Sequence, residues 1–323
     1  MKFKLSNITK DEIAIISGTS NLKLAEEISQ YLKIPLLNTL ITTFSDGEIR
    51  VQLNETLRGK DVFIIQSYSK TINKSIMELL IIIDAVKRAS AGRITAVLPY
   101  FPYARQDRKD RPRVPISSKL LANLLTTAGA NRLLTIDLHA GQLQGFFDIP
   151  VDHLFAQKTL NNYFKNKKFQ SDIVVVSPDI GGTERARAFA ELMKAPIAII
   201  DKRRENPNES EVMNIIGKIQ NKSIIIVDDI IDTAGTLCKA AAALIEKGAK
   251  EVYATATHAV FSGEAINRIN NSVLQEVVVT NTIALAPEAE KVSKIKVVSI
   301  APLISEAIKI IHGSGSMNKL FEI

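Results

Sequence analysis

The chain has 323 residues, of which 46% are hydrophobic and 23% charged, with one cysteine and a net charge of +7 from 41 basic and 34 acidic side chains. A lone Cys238 excludes an internal disulfide and a thiolate cluster for zinc, and no apolar run approaches the roughly 18 residues of a membrane span. The opening segment MKFKLSNITKDE has no apolar core or cleavage site of an export signal, so a cytoplasmic protein that meets no membrane is expected.

The length suits two domains. In chain order, the runs 13–17, 62–66, 94–98 and 133–136 are predicted strands, apolar at most positions as strands covered on both faces are. Segments 22–32, 75–89 and 117–128 are predicted helices between them. The second half repeats the plan, with predicted strands 173–176, 197–200, 224–227 and 252–257 and helices 184–193 and 237–247. Such alternation implies an α/β protein with a mainly parallel sheet in each half. The boundary is expected near Pro150, giving domains 1–150 and 151–323. The polar run KRRENPNESE at 202–211 is expected as a loop after a strand. The tail HGSGSMNKLFEI ends in large apolar residues, and docking of that tail on the first domain or on a neighbour is expected.

A positive net charge favours anionic partners without naming them. The densest patch, YARQDRKDRPR at 103–113, interleaves Asp107 and Asp110 with its five cations. A nucleic-acid stripe usually lacks carboxylates that repel phosphate, so no nucleic acid is expected. Mixed charge suits a phosphate ligand that carries a metal.

The most informative stretch is SIIIVDDIIDTAGT, 223–236. A β-branched run ends in Asp228 and Asp229, and the stripe of Leu237, Ala241, Leu244 and Ile245 marks a helix after it. The turn Asp232, Thr233, Ala234, Gly235, Thr236 therefore lies at a helix N-terminus, where unpaired N–H groups and the helix dipole attract phosphate. Ligands of parallel α/β sheets bind beyond the carboxyl ends of strands. Aspartates cannot hold a phosphate, but they accept hydrogen bonds from sugar hydroxyls or hold a hydrated divalent ion. A helix-capping role would explain the turn alone. It would not explain two adjacent carboxylates after a buried strand. The combination describes a phosphorylated sugar. A second glycine-rich turn, Gly181-Gly182 in SPDIGGTERAR, is either another anion nest or a plain strand-to-helix turn.

With these motifs the chain resembles the class I ribose-phosphate pyrophosphokinase (PRPP synthetase) family, over nearly its whole length, and IIVDDIIDTAGT resembles the PRPP-binding signature shared with the phosphoribosyltransferases. The resemblance implies two phosphoribosyltransferase-like domains and transfer of the diphosphoryl group of MgATP to the 1-hydroxyl of ribose 5-phosphate, giving PRPP and AMP. It implies ATP and ribose 5-phosphate as partners, Mg2+ as cofactor, and a homo-oligomer built from dimers into a hexamer. Ribose 5-phosphate falls to the 228–229 and 232–236 residues named above. By the same resemblance Phe44, Asp46 and Glu48 in TTFSDGEIRV hold adenine, reaching across from a neighbouring subunit, although spacing alone reads Asp46-Gly47 as a solvated turn. Arg105, Gln106 and Asp110 contact ATP. Asp179, Gly181 and Gly182 form the diphosphate loop, and His139 with Asp179 partners the metal. Lys202 and Arg204 form the catalytic basic pair, and Arg58, Ser316 and Phe321 match a regulatory region. Two other functions are weighed: a phosphoribosyltransferase, which would not need FSDGE and YARQD, and a catalytically silent regulatory homologue, which tends to lose the lid cations present here.

Overall fold

The computed structural model describes residues 12–67, 71–203 and 212–321. They fall into two units, one running to Phe155 and taking back Thr282–Ala284 and the stretch from Ile300, the other holding Ala156–Asn281 and Leu285–Ser299. The boundary expected near Pro150 lies just ahead of the last strand of the first unit.

The first unit begins with β1 (Ile13–Ser17) and α1 (Leu22–Leu32), then β2 (Thr39–Thr43), β3 (Ile49–Leu53) and β4 (Asp61–Ile65). It continues with α2 (Ile72–Arg88), β5 (Arg93–Leu98), α3 (Ser117–Ala128), β6 (Arg132–Ile136) and β7 (Val151–Leu154). Its sheet has the order β1-β4-β5-β6-β7, parallel throughout. Every residue of β4 is buried, as a strand with helices on both faces requires. Ile16, Val62, Ile64, Ala96 and Leu98 join Leu79, Ile82, Leu121 and Leu125 of α2 and α3 in one core cluster.

The pair β2 and β3 was not anticipated. They form a separate antiparallel hairpin about the turn expected at Asp46-Gly47, where Gly47 takes φ +98°. Their inward residues Ile41, Val51 and Leu53 are only half buried and alternate with polar ones, a weaker signal than a continuous apolar run.

The second unit contains α4 (Gln157–Lys165), β8 (Ile173–Ser177), α5 (Thr183–Met193), β9 (Ile197–Arg203), β10 (Val212–Ile216) and β11 (Ser223–Ile231). There follow α6 (Gly235–Glu246), β12 (Glu251–Ala259), α7 (Ala265–Asn270), β13 (Val277–Thr280), α8 (Pro287–Glu290) and β14 (Ile295–Val298). The order is β10-β9-β8-β11-β12-β13-β14, with only the β9/β10 pair antiparallel. After β8 the chain adds β9 on one side, and β11 then lies on the other. The strand order thus reverses between β8 and β11, and a crevice opens beyond the carboxyl ends of strands at such a point.

One expectation is corrected here. Strand β9 does not stop before the polar run but continues through Lys202 and Arg203, which pair with Met213 and Val212 of β10. Main-chain ladder bonds form whatever the side chains, so the charged end of β9, flanked by β10 alone beyond Ile199, still makes a strand.

The chain ends in α9 (Ala301–His312), which packs on α1 within the first unit, and α10 (Asn318–Phe321).

Candidate active site

Strand β11 pairs with β8 only as far as Ile226↔Val176, yet with β12 as far as Ile231↔Ala259. Its last five residues therefore have a strand on one side alone, and Asp228 and Asp229 lie in that overhang at the switch point. Asp229 is buried, with 2% of its surface exposed, while Asp228 is half open.

The cation that answers them is Arg185 on α5, whose Nη1 lies 3.1 Å from Asp229 Oδ1 and 3.4 Å from Asp228 Oδ1. The sequence reading missed it, although there was a signal. Arg185 stands in the first turn of α5, where the helix dipole disfavours a cation, so a basic residue there points to a specific carboxylate partner. Even with Arg185 present, burial, then a hydrogen bond and negative charge from Asp229, push the Asp228 carboxyl up to about 8.

The turn 232–234 connects β11 to α6. Ala234 takes the left-handed conformation at φ 57°, which costs an L-residue roughly 1–2 kcal/mol and must be held by its surroundings. Among the described residues, the amides of Thr233, Ala234, Gly235 and Thr236 donate to no protein acceptor. A Cβ added at Gly235 would meet nothing nearer than Arg268 Nη1 at 3.7 Å, so packing within the protein does not demand glycine there.

Across the switch point, Asp179 Oδ1 accepts from the Gly182 amide at 2.8 Å, and the Ser177 hydroxyl donates to the Asp179 carbonyl at 2.6 Å. A Cβ at Gly182 would lie 2.9 Å from Ser177 Oγ, so the hydroxyl that holds the Asp179 carbonyl would have to shift. Asp179 and Gly181 are exposed.

The remaining expected residues distribute as follows. Phe44, Asp46 and Glu48 are at the exposed tip of the β2–β3 hairpin, which is closed by Phe44 N–H to Glu48 O at 2.8 Å and Glu48 N–H to Asp46 Oδ1 at 3.0 Å. Phe44 is 49% exposed, with the Arg50 guanidinium 6.0 Å above its ring centroid. Gln106 receives Ser117 Oγ–H on Oε1 at 2.5 Å and Ser118 Oγ–H on its carbonyl at 2.9 Å, which anchors the start of α3. Arg105 is exposed, and Asp110 lies 3.6 Å from Arg111 Nε. His139 is exposed just after β6, two residues beyond Asp137, which takes φ 42°. Arg58 and Ser316 are exposed; Lys202 and Phe321 are placed by their backbone in β9 and α10, and Arg204 lies outside the described residues.

Comparison with known proteins gives a consistent result. The model of the N-terminal domain of ribose phosphate pyrophosphokinase matches residues 13–129, and that of the phosphoribosyl synthetase-associated domain matches residues 204–322. A ribose-phosphate pyrophosphokinase of Clostridium tetani is 55% identical over 97% of this chain and 98% of its own length. One from Bacillus subtilis is 55% identical over 96% of this chain and 97% of its own. Among solved structures, phosphoribosylpyrophosphate synthetase from Mycobacterium smegmatis matches with a TM-score of 0.89 at 42% identity, covering 94% of this chain and 100% of that one. The chain belongs to the ribose-phosphate pyrophosphokinase family.

Proposed function

We propose that this enzyme transfers the β,γ-diphosphoryl group of ATP to the 1-hydroxyl of ribose 5-phosphate. The anomeric oxygen attacks the β-phosphorus, the bond from that phosphorus to the α,β-bridging oxygen breaks, and AMP leaves with the bridging oxygen while the hydroxyl loses its proton. The observation that carries this reading is the adjacency, in a chain of this family, of two functions at one switch point. Among the described residues the amides of Thr233, Ala234, Gly235 and Thr236 have no protein acceptor, and beside them stands an acidic pair answered by Arg185. In this reading the 5-phosphate sits on the turn, and Asp228 and Asp229 accept from the ring hydroxyls. The phosphoribosyltransferase alternative has no comparable use for the hairpin tip that presents Phe44.

Asp179, Gly181 and Gly182 are assigned to the diphosphate being transferred. The donor set fits Mg2+, which prefers oxygen and keeps several waters. Asp179 is exposed, and its Oδ2 has no protein partner among the described residues; His139 is assigned to the same ion by the resemblance alone. When bound, the metal neutralises phosphate charge. Phe44, Asp46 and Glu48 are assigned to adenine, completed by a neighbouring copy in a dimer-based hexamer. Arg105, Gln106 and Asp110 are assigned to the rest of ATP, and Arg58, Ser316 and Phe321 to regulation. Lys202 and Arg204 are assigned to the transition state, where diphosphoryl transfer depends on positioning and charge neutralisation.

Incubation with ribose 5-phosphate, ATP and Mg2+ should yield AMP in step with PRPP; ADP as product would instead mean a simple kinase. Lys202→Ala should lower kcat by about 100-fold or more with a modest change in KM for ATP. Near wild-type turnover would remove Lys202 from the mechanism.

A further inference from the structure

Three carbonyls of the sugar-phosphate turn accept hydrogen bonds from the segment 261–268, to which nothing above gives a role. Beyond β12 the Phe261 amide donates to the Ile231 carbonyl at 3.1 Å and the Ser262 amide to the Asp232 carbonyl at 3.1 Å. Arg268 on α7 donates from Nη1 to the Thr233 carbonyl at 2.8 Å. The Ser262 hydroxyl also donates to Asp232 Oδ1. Three successive carbonyls of the turn are thus drawn toward one segment.

The consequence follows from peptide geometry. In a planar trans peptide the C=O of one residue and the N–H of the next point in opposite directions. Holding the carbonyls of Ile231, Asp232 and Thr233 toward 261–268 therefore turns the amides of Asp232, Thr233 and Ala234 away from it. Those of Thr233 and Ala234 are among the amides that find no protein acceptor. The same clamp explains how Ala234 is kept at φ 57°. Phe261 itself takes φ 46°, so the clamping segment is also held in an uncommon conformation.

We propose that Ser262 and Arg268 are positioning residues that aim the Thr233 and Ala234 amides of the turn at the phosphate of the sugar substrate. They act through the turn and touch no reacting atom. This rests on the sugar-phosphate reading of the turn. Arg268 adds a second effect, because its cation, 3.7 Å from the Cβ position of Gly235, raises the potential around an anion held there.

The test uses Ser262→Ala, Ser262→Thr and Arg268→Met in the full chain. Ser262 is half buried and Arg268 exposed, so neither change removes a core side chain. Arg268→Met, which removes the bond to the Thr233 carbonyl, should raise KM for ribose 5-phosphate on the order of 10-fold, and Ser262→Ala, which keeps the amide bond to the Asp232 carbonyl and loses the hydroxyl bond to Asp232 Oδ1, should raise it by less. KM for ATP and the Tm of the unliganded protein should stay at wild-type values, and Ser262→Thr should restore the lower KM. Unchanged KM for ribose 5-phosphate in both variants overturns the proposal. So does a rise in KM for ATP of the same size, or a fall in Tm that accounts for the loss. Calorimetric titration of the wild type with ribose 5-phosphate separates the two layers. If the wild type binds it and both variants bind equally well, only the clamp fails; if the wild type binds none, the sugar-phosphate reading fails and the clamp with it.

Discussion

At the scale of single residues, Asp228 shows how a site is prepared before its ligand arrives. Its carboxyl is raised to about 8 by burial first and by Asp229 second, with Arg185 opposing. The unfolded chain releases that proton near the ordinary aspartate value of about 4. Between those two values the folded chain therefore holds a proton that the unfolded chain does not. The stability this gives is fully present below about pH 4 and is lost as pH rises through about 8. Asp228→Asn removes the titration. Thermal melts of the unliganded protein should show wild-type Tm falling between pH 6 and pH 9 more steeply than that of Asp228→Asn. At pH 9 the variant should be the more stable by on the order of 1–2 kcal/mol. Parallel curves would mean that Asp228 is ionised throughout. The acidic pair was legible in the sequence because two charges after an apolar run have no structural reason. Its partner Arg185 was not, because an ion pair between α5 and β11 depends on how the strands are ordered.

At the scale of elements, the strands β1, β5, β8 and β12 were legible because buried parallel strands are runs of β-branched residues. Short β13 and β14, and the half-exposed hairpin of β2 and β3, were not read: β13 is a β-branched run but only four residues long, β14 is as short and carries a lysine, and the hairpin alternates apolar with polar residues. The hairpin matters most for function, since it carries an aromatic ring that the fold leaves uncovered. Phe44 is about half exposed, and its contact with Arg50 is a surface cation–π pair worth about 0.5–1 kcal/mol at most. Phe44→Ala should therefore change stability by less than about 1 kcal/mol, while raising KM for ATP on the order of 10-fold or more if the ring stacks on adenine. Urea unfolding and steady-state kinetics on the same variant decide the matter. A stability loss with unchanged KM would make Phe44 a packing residue of the hairpin.

At the scale of the whole molecule, the first unit is finished by the end of the chain. The pattern of α9, with Ile304, Ala307, Ile308 and Ile311 buried, is an amphipathic helix readable from its 3-4 spacing. Periodicity says that one face is covered but not by what, and its partner α1 lies almost the full length of the chain away. The tie at its end is polar. Asp61 at the start of β4 is 8% exposed and accepts from Arg93 Nε at 2.9 Å and Nη2 at 2.5 Å, with His312 Nδ1 at 2.9 Å. Arg93 Nη2 also donates to the Ile311 carbonyl at 2.9 Å, so one carboxylate orients the arginine that caps α9. Asp61 is buried but the Arg93 side chain keeps 31% of its surface exposed, so losing the carboxylate costs less than breaking a fully buried pair, about 1–2 kcal/mol. Asp61→Asn should therefore destabilise the protein by about that amount in urea unfolding. It should also raise amide hydrogen exchange in α9 and in α1, which rests on it, while the amides of β11 and β12 keep their protection. Exchange that rises equally in every element would indicate global destabilisation and no local tie. Unchanged exchange in α9 would show that its apolar face alone holds it, and that the Asp61, Arg93 and His312 cluster contributes little to closing the first unit.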